Sequence, residues 1–192
     1  MHTHKQSIVS QREVYHDTKD YVSALRAALR EAPEVILVGE MRDLETIEIS
    51  VTAAETGHLV FSSLHTIGAA NTIDRMIDVF PATQQQQIRV QLSTVLNGVV
   101  SQQLLPGKDG KMLPVFEIML CNQAIRNLIR EGKTHQMQNT ITANRASGMI
   151  TMDDAIIEAY KQDKITKETA IMYASDARYV ACLLYTSPSP RD

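Results

Sequence analysis

The chain of 192 residues has no tryptophan, few aromatic residues (5%) and two cysteines, Cys121 and Cys182. So few aromatic side chains argue against a surface for base stacking, and a net charge of −3 gives no basic field for nucleic acid. The cysteines show neither metal-ligand spacing nor a disulfide framework, which is usual in a reducing cytoplasm. No apolar run reaches the roughly 18 residues of a membrane span. These absences favour a cytoplasmic protein with no nucleic-acid partner and no membrane insertion.

The most informative segment is the apolar run Val35–Val38 with the turn 39–43 that follows it. A short run rich in Val and Ile predicts a buried strand. Ligands of open α/β sheets lie beyond the carboxyl ends of the strands, where Glu40 would meet a nucleotide-bound Mg²⁺. This is the Walker B arrangement of P-loop ATPases. The Gly-x-x-x-x-Gly-Lys-(Ser/Thr) loop that cradles phosphates in those enzymes is nevertheless absent from the sequence.

A second strand is predicted at 58–64, after a helix that Asp43 caps and that continues to about Glu55. His65 follows this strand directly. A strand–helix–strand unit builds a parallel sheet, in which neighbouring strands end at the same edge. The sequence therefore predicts that Glu40 and His65 lie at one sheet edge.

The remaining pattern is mainly helical. Before the first strand we expect an extended segment at Ser7–Ser10 and a helix from Asp17 or Thr18 to about Glu31. After the second strand we expect helices at 69–79 and 84–105, a strand at 113–120, and helices at 121–131, 134–143, 151–161 and 166–175. The fold class is α/β, with a core over 1–120 and a small helical subdomain over 121–176. Pro-Ser-Pro cannot continue a helix, so 177–192 is expected to be a disordered or non-native tail.

Three segments are similar to known motifs: residues 29–43, 56–66 and 124–133. The first two resemble the Walker B signature and the His box of the type II/IV secretion ATPase superfamily, except that Glu34 replaces the usual Asp. The third, Ala-Ile-Arg-Asn-Leu-Ile-Arg-Glu-Gly-Lys, resembles the helix motif that marks the retraction ATPases of type IV pili. The resemblance extends over roughly residues 2–176.

This resemblance implies a RecA-like P-loop NTPase core in a hexameric motor that uses ATP and Mg²⁺ to drive pilus retraction and twitching motility. In the family, a PAS-like domain, the phosphate loop and an acidic box precede the part seen here. We therefore expect a C-terminal fragment that is inactive alone. The implied partners are other copies of the subunit and the pilus platform protein of the inner membrane, so the motor would lie at the cytoplasmic face of that membrane.

The resemblance also implies roles for individual residues in nucleotide chemistry. Glu40 would bind Mg²⁺ directly or through water, and His65 would be the second catalytic residue, sensing the γ-phosphate. Arg42 and His58 join them as nucleotide-binding candidates. Structural interpretations are equally good for these two, namely an arginine that pairs with a carboxylate and a histidine that satisfies a backbone carbonyl.

The helix motif carries a second set of candidates. Ile125, Leu128 and Ile129 form an apolar stripe that predicts core packing, and Arg126 and Arg130 lie off that stripe. Because the resemblance links this helix to retraction, the two arginines are the candidates for contact with a partner.

Two other functions remain open from the sequence. A catalytically inactive module that joins an ATPase ring would also lack the phosphate loop, although the intact residues at 39–43 favour a piece of an active enzyme. A pilus extension ATPase is disfavoured by the retraction-type helix, and two cysteines cannot form the Cys₄ zinc module common in extension enzymes.

Overall fold

The computed structural model describes residues 6–186, which belong to two compact units, Met1–Leu64 and His65–Asp192. None of the helices within residues 6–186 combines the length and apolar character needed to cross a membrane. The predicted domain boundaries at 120 and 176 stay predictions.

The first unit is a strand–helix–strand fold with a preceding helix. Its elements are α1 (Tyr21–Ala28), a short 3₁₀ turn (Leu29–Glu31), β1 (Val35–Val38), α2 (Leu44–Glu55) and β2 (Leu59–Ser62). The strands pair in parallel, with Val35 opposite Leu59 and Val38 opposite Ser62. The predicted parallel pair and the helix between its strands are therefore confirmed.

Alternate residues of β1 lie on opposite faces, as strand geometry requires. Ile36 and Val38 are buried in a small core with Leu25 of α1 and Ala53 of α2. Leu37, on the other face, is 69% exposed. The prediction of a buried strand therefore holds for only one of its two faces.

The second unit places helices around an antiparallel hairpin. Its elements are α3 (Ala69–Asp78), α4 (Ala82–Val95), β3 (Gly98–Pro106), β4 (Met112–Leu120), α5 (Gln123–Glu131), α6 (Met137–Ala143), α7 (Met152–Lys161), α8 (Lys167–Tyr173) and α9 (Ala177–Thr186). In the hairpin, Gly98 pairs with Leu120 and Pro106 with Met112. One hydrophobic core joins the hairpin residue Leu105 to Ile156 of α7. The mixed α/β fold class and the helices α5 to α8 agree with the sequence-based expectations.

The prediction of one helix over 84–105 is wrong. Helix α4 ends at Val95, and β3 begins at Gly98. A Cβ atom at Gly98 would lie 2.9 Å from the Met119 carbonyl oxygen, so β4 approaches too closely for any residue but glycine. This long-range pairing overrides the local helical pattern.

The expectations for the N-terminal segment are also wrong in detail. Residues Ser7–Ser10 form no strand. Helix α1 is capped by neither Asp17 nor Thr18 but by Asp20, whose carboxylate accepts a 2.6 Å hydrogen bond from the Ser23 N–H. Since Asp20 can make this bond without any distant contact, the sequence already contained the signal for the correct cap.

The structure differs from the expected tail over residues 177–186, which form α9. Val180 and Leu184, four residues apart on this helix, are buried in the core of the second unit. The Asp153 carboxylate accepts hydrogen bonds from the backbone N–H groups of Ser175 and Asp176 just before the helix, at 2.7 and 2.9 Å. The rest of the predicted tail, 187–192, lies outside the described residues.

The two thiols should react at very different rates. Burial raises the pKa of Cys121 to about 11, whereas Cys182 is exposed. At about pH 8 we expect an aromatic disulfide reagent to modify Cys182 rapidly and Cys121 only after unfolding, since the thiolate is the nucleophile. A Cys182→Ser variant should lose the rapid phase. Rapid modification of Cys121 in that variant would contradict its burial.

Candidate functional site

The ends of β1 and β2 are joined by hydrogen bonds around Glu40. The Ser63 hydroxyl donates to the Gly39 carbonyl at 2.7 Å, and the Met41 N–H donates to the Ser63 carbonyl at 3.0 Å. These bonds hold the backbone on both sides of Glu40 at the carboxyl end of the parallel pair. Glu40 thus lies just beyond the carboxyl end of β1, and the Walker B interpretation of this turn stays a prediction.

Arg42 contacts the carboxylate that it follows in the sequence. Its Nη2 atom lies 2.6 Å from Glu40 Oε1, and this bond raises the pKa of Arg42. The Arg42 side chain is 70% exposed and the Glu40 side chain only 20%. The pairing with a carboxylate predicted as one alternative for Arg42 is therefore present, and binding of phosphate by Arg42 stays a prediction.

Glu40 is suited to a metal ion that also binds phosphate. No cluster of three or more His, Cys, Asp or Glu side chains that could hold a metal occurs within residues 6–186. A dedicated protein cage is not what Mg²⁺ needs, because in nucleotide sites one or two carboxylates act together with waters and substrate phosphates. A single strand-end carboxylate fits that donor set.

Helix α2 begins directly behind the Glu40 turn. Asp43 caps it, as predicted, with Oδ1 accepting a 2.8 Å hydrogen bond from the Thr46 N–H. This cap sets where the helix starts and therefore where the preceding turn ends.

Loss of this cap should weaken the first unit. We expect Asp43→Ala to lower the free energy of unfolding by about 0.5–2 kcal/mol, because an N–H of the first turn loses its acceptor. Urea denaturation followed by circular dichroism measures the change. Asp43→Asn keeps an acceptor oxygen and should remain near the unsubstituted chain. Equal losses in both variants would mean that the cap is not the cause.

The His58 ring contacts a backbone carbonyl at the C-terminal end of α2. Its Nδ1 atom lies 3.1 Å from the Ala53 carbonyl oxygen and 3.2 Å from the Thr56 hydroxyl. A ring protonated at Nδ1 donates to that carbonyl in the last turn of α2, which also accepts from the Thr56 hydroxyl and the His58 N–H. The structural interpretation of His58 accounts for these contacts, and a nucleotide contact stays a prediction.

His65 is exposed and opens the second unit. The segment 65–68 that it begins makes hydrogen bonds to both α3 and β3. The Thr66 hydroxyl lies 2.9 Å from the Thr72 hydroxyl of α3, and the Gly68 N–H donates to Ser101 Oγ of β3 at 2.8 Å. Glu40 belongs to the first unit, so its proximity to His65 stays a prediction.

The two arginines of α5 have different surroundings. Arg126 Nη1 donates to the carbonyls of Ser93 and Thr94 at 2.7 and 2.8 Å, at the C-terminal end of α4. Arg130 is exposed. Arg126 is half-buried and binds a helix end of its own chain, and contact of either arginine with a partner stays a prediction. Ile125 and Ile129 are fully buried, as their stripe predicts.

The two arginines should differ in their effect on stability. We expect Arg126→Ala to lower the free energy of unfolding by about 1.5–3 kcal/mol, because the two carbonyls at the end of α4 lose a charged donor. Arg130→Ala should change it by less than about 0.5 kcal/mol, as for most exposed side chains. Chemical denaturation of both variants under the same conditions is the measurement. Equal losses of stability in the two variants would contradict a stabilising contact made by Arg126 and not by Arg130.

Sequence reasoning missed two polar residues of the hairpin. Glu117 and Ser101 lie opposite each other on β4 and β3 and are both buried. The available signal was Glu117 itself, an isolated acidic residue at an inward position between Val115 and Met119, both of which are buried.

The chain belongs to the type II/IV secretion system protein family. The family model matches residues 3–111, which include β1, β2 and the turns that follow them.

Two relatives that match most of this chain are a twitching motility protein and a type IV pilus retraction ATPase. The twitching motility protein of Neisseria gonorrhoeae is 49% identical over 88% of this chain and 46% of its own length. The type IV pilus retraction ATPase PilT of Pseudomonas aeruginosa is 49% identical over 88% of this chain and 49% of its own length. The chain thus spans about half the length of the relatives that it matches.

Solved structures agree with this assignment. The crystal structure of the pilus retraction motor PilT with bound ADP matches with a TM-score of 0.85 and 49% identity, over 93% of this chain and 50% of that one. The ATPase DotB of Legionella pneumophila matches with a TM-score of 0.76 and 26% identity, over 86% of this chain and 45% of that one. The predicted fold class and the resemblance to retraction ATPases are therefore confirmed.

Proposed function

We propose that this chain forms the C-terminal half of a hexameric motor subunit that couples ATP hydrolysis to retraction of type IV pili. The observation that carries the proposal is its similarity to a retraction motor with bound ADP, at 49% identity and a TM-score of 0.85. The strand-end turn at 39–43 and the helix α5 supply the two parts that such a motor needs, a nucleotide-side carboxylate and an exposed contact surface.

In this proposal Glu40 would hold Mg²⁺, directly or through water, when nucleotide is bound. When bound, Mg²⁺ neutralises charge on the phosphate oxygens. Arg42 orients the Glu40 carboxylate through its 2.6 Å contact, and Ser63 holds the turn through the Gly39 carbonyl. His65 contacts the γ-phosphate and reports its loss to α3, which begins four residues later.

Turnover in this proposal also requires the part of the motor that carries a phosphate loop, which this sequence does not contain. Backbone amides and a lysine of that loop hold the phosphates during the reaction. The partners are other copies of the subunit and the pilus platform protein, at the cytoplasmic face of the inner membrane.

A chimera tests the proposal in cells. In it, this chain replaces the matching part of the Pseudomonas aeruginosa relative, whose 49% identity makes the exchange feasible. We expect the chimera to restore twitching to a strain that lacks its own retraction ATPase. A chimera that assembles and hydrolyses ATP but does not restore twitching would limit the proposal to an ATPase. One that assembles without turnover would favour an inactive ring-binding module.

Arg130 should separate hydrolysis from retraction. In the chimera, we expect Arg130→Ala to leave the ATPase rate within about twofold and to reduce twitching strongly, because its exposed guanidinium contacts a partner and not the nucleotide. Lys161→Ala removes an exposed cation at the end of α7 and serves as the matched control, with normal twitching expected. Lost hydrolysis in Arg130→Ala would instead place α5 within the nucleotide machinery.

A further inference from the structure

Glu117 is a charged side chain in the interior of the second unit, and no motif of the sequence uses it. Its exposed fraction is 0%. A carboxylate is retained in such a position only when hydrogen bonds satisfy it, so its partners indicate what it does.

The two carboxylate oxygens of Glu117 accept hydrogen bonds from residues of three helices. Oε1 accepts a 2.6 Å hydrogen bond from the Ala69 N–H, and Oε2 accepts bonds of 3.2 Å from the Met152 N–H and from Gln138 Nε2. Ala69 and Met152 are the first residues of α3 and α7, and Gln138 lies in α6. The negative charge therefore lies at two helix N-termini, where the helix dipoles stabilise it.

Helix α3 depends on this carboxylate more than α7 does. The N-cap of α3 is Gly68, with φ of 90°, which has no side chain to accept a hydrogen bond. Ser101 and Glu117, paired across the hairpin, accept from Gly68 and Ala69 instead. Helix α7 has a cap of its own in Thr151, which accepts from the third helical residue. The start of α3 is thus capped from the hairpin.

We infer that Glu117 is a positioning residue for the segment 65–68, which carries His65 and ends where Glu117 caps α3. Thr66 contacts the Thr72 hydroxyl in the first turn of α3, so the orientation of the segment follows the start of that helix. The other oxygen of Glu117, Oε2, links the start of α3 to α6 and α7 through its bonds from Gln138 and Met152. The inference rests on the proposed function, in which His65 contacts the nucleotide.

Hydrogen exchange on the full chain tests the anchoring directly. We expect Glu117→Gln to raise the exchange rates of the Gly68 and Ala69 amides at least about tenfold, because a glutamine has one acceptor oxygen for donors on two sides. Ser101→Ala is a milder second variant that should affect Gly68 most. Asp153→Asn changes a carboxylate that binds the backbone just before α9 and should leave both amides unchanged. Unchanged exchange in both hairpin variants would overturn the inference.

A double-mutant cycle in the chimera tests whether Glu117 acts through His65. We expect Glu117→Gln to lower kcat at least about tenfold with KM within about twofold, and to cause little further loss once His65→Ala is present. Asp153→Asn should keep normal turnover. Fully additive losses would show a merely structural role and overturn the inference. If His65→Ala alone leaves turnover intact, the proposed role of His65 fails, and the exchange rates alone decide whether Glu117 anchors the segment.

Discussion

Glu40→Gln should lower kcat for ATP hydrolysis in the chimera at least about a hundredfold, the scale of losing one preorganised charge contact to the transition state. Glutamine keeps the size of the side chain but has no charge to bind Mg²⁺. It also ends the ion pair with Arg42, whose Nη2 atom lies 2.6 Å from the carboxylate. Phosphate release at saturating ATP and Mg²⁺ measures the change.

The control for this variant is Glu45→Gln. Glu45 is an exposed acid in the first turn of α2, a few residues from Glu40. We expect normal turnover in Glu45→Gln and normal assembly of both variants, as measured by size-exclusion chromatography with light scattering. Turnover retained in Glu40→Gln would contradict the assignment of Mg²⁺ to this carboxylate.

The second large effect concerns stability and α5. We expect Ile129→Ala to lower the free energy of unfolding by about 2–5 kcal/mol, the range for truncating a buried aliphatic side chain. Ile129 is 0% exposed, whereas the next residue of α5, Arg130, is exposed. Urea denaturation of the full chain, followed by circular dichroism, gives the difference.

Met172→Ala provides the matched helical control, since Met172 on α8 is 81% exposed. Its free energy of unfolding should change by less than about 0.5 kcal/mol. Comparable losses in the two variants would mean that α5 is not anchored by its apolar stripe. The surface position of Arg130, which the retraction proposal needs, would then lose its support.

Local signals were sufficient for β1 and α2 of the first unit. Strand β1 was predicted from four consecutive apolar residues and α2 from the capping residue Asp43, because both signals lie within the elements that they define. The same reasoning failed at Gly98, where a strand begins only because β4 lies alongside. Contacts between residues far apart in sequence leave no local pattern.

In the candidate site, too, local features could be predicted and long-range contacts could not. Glu40 could be placed from the sequence because it directly follows a strand. The position of Arg126 off the apolar stripe was correct, but its contact with the carbonyls at the end of α4 depends on packing between two helices. Glu117 escaped notice because its three partners lie 21 to 48 residues away along the chain.

The most direct test of the central claim is the Mg²⁺-dependent ATPase rate of the purified, assembled chimera. The proposed function predicts a rate within about tenfold of the intact Pseudomonas aeruginosa relative, a difference of about 1.4 kcal/mol in barrier. An assembled chimera with no turnover above background would contradict it. This chain would then be a ring-binding module and not half of an active motor.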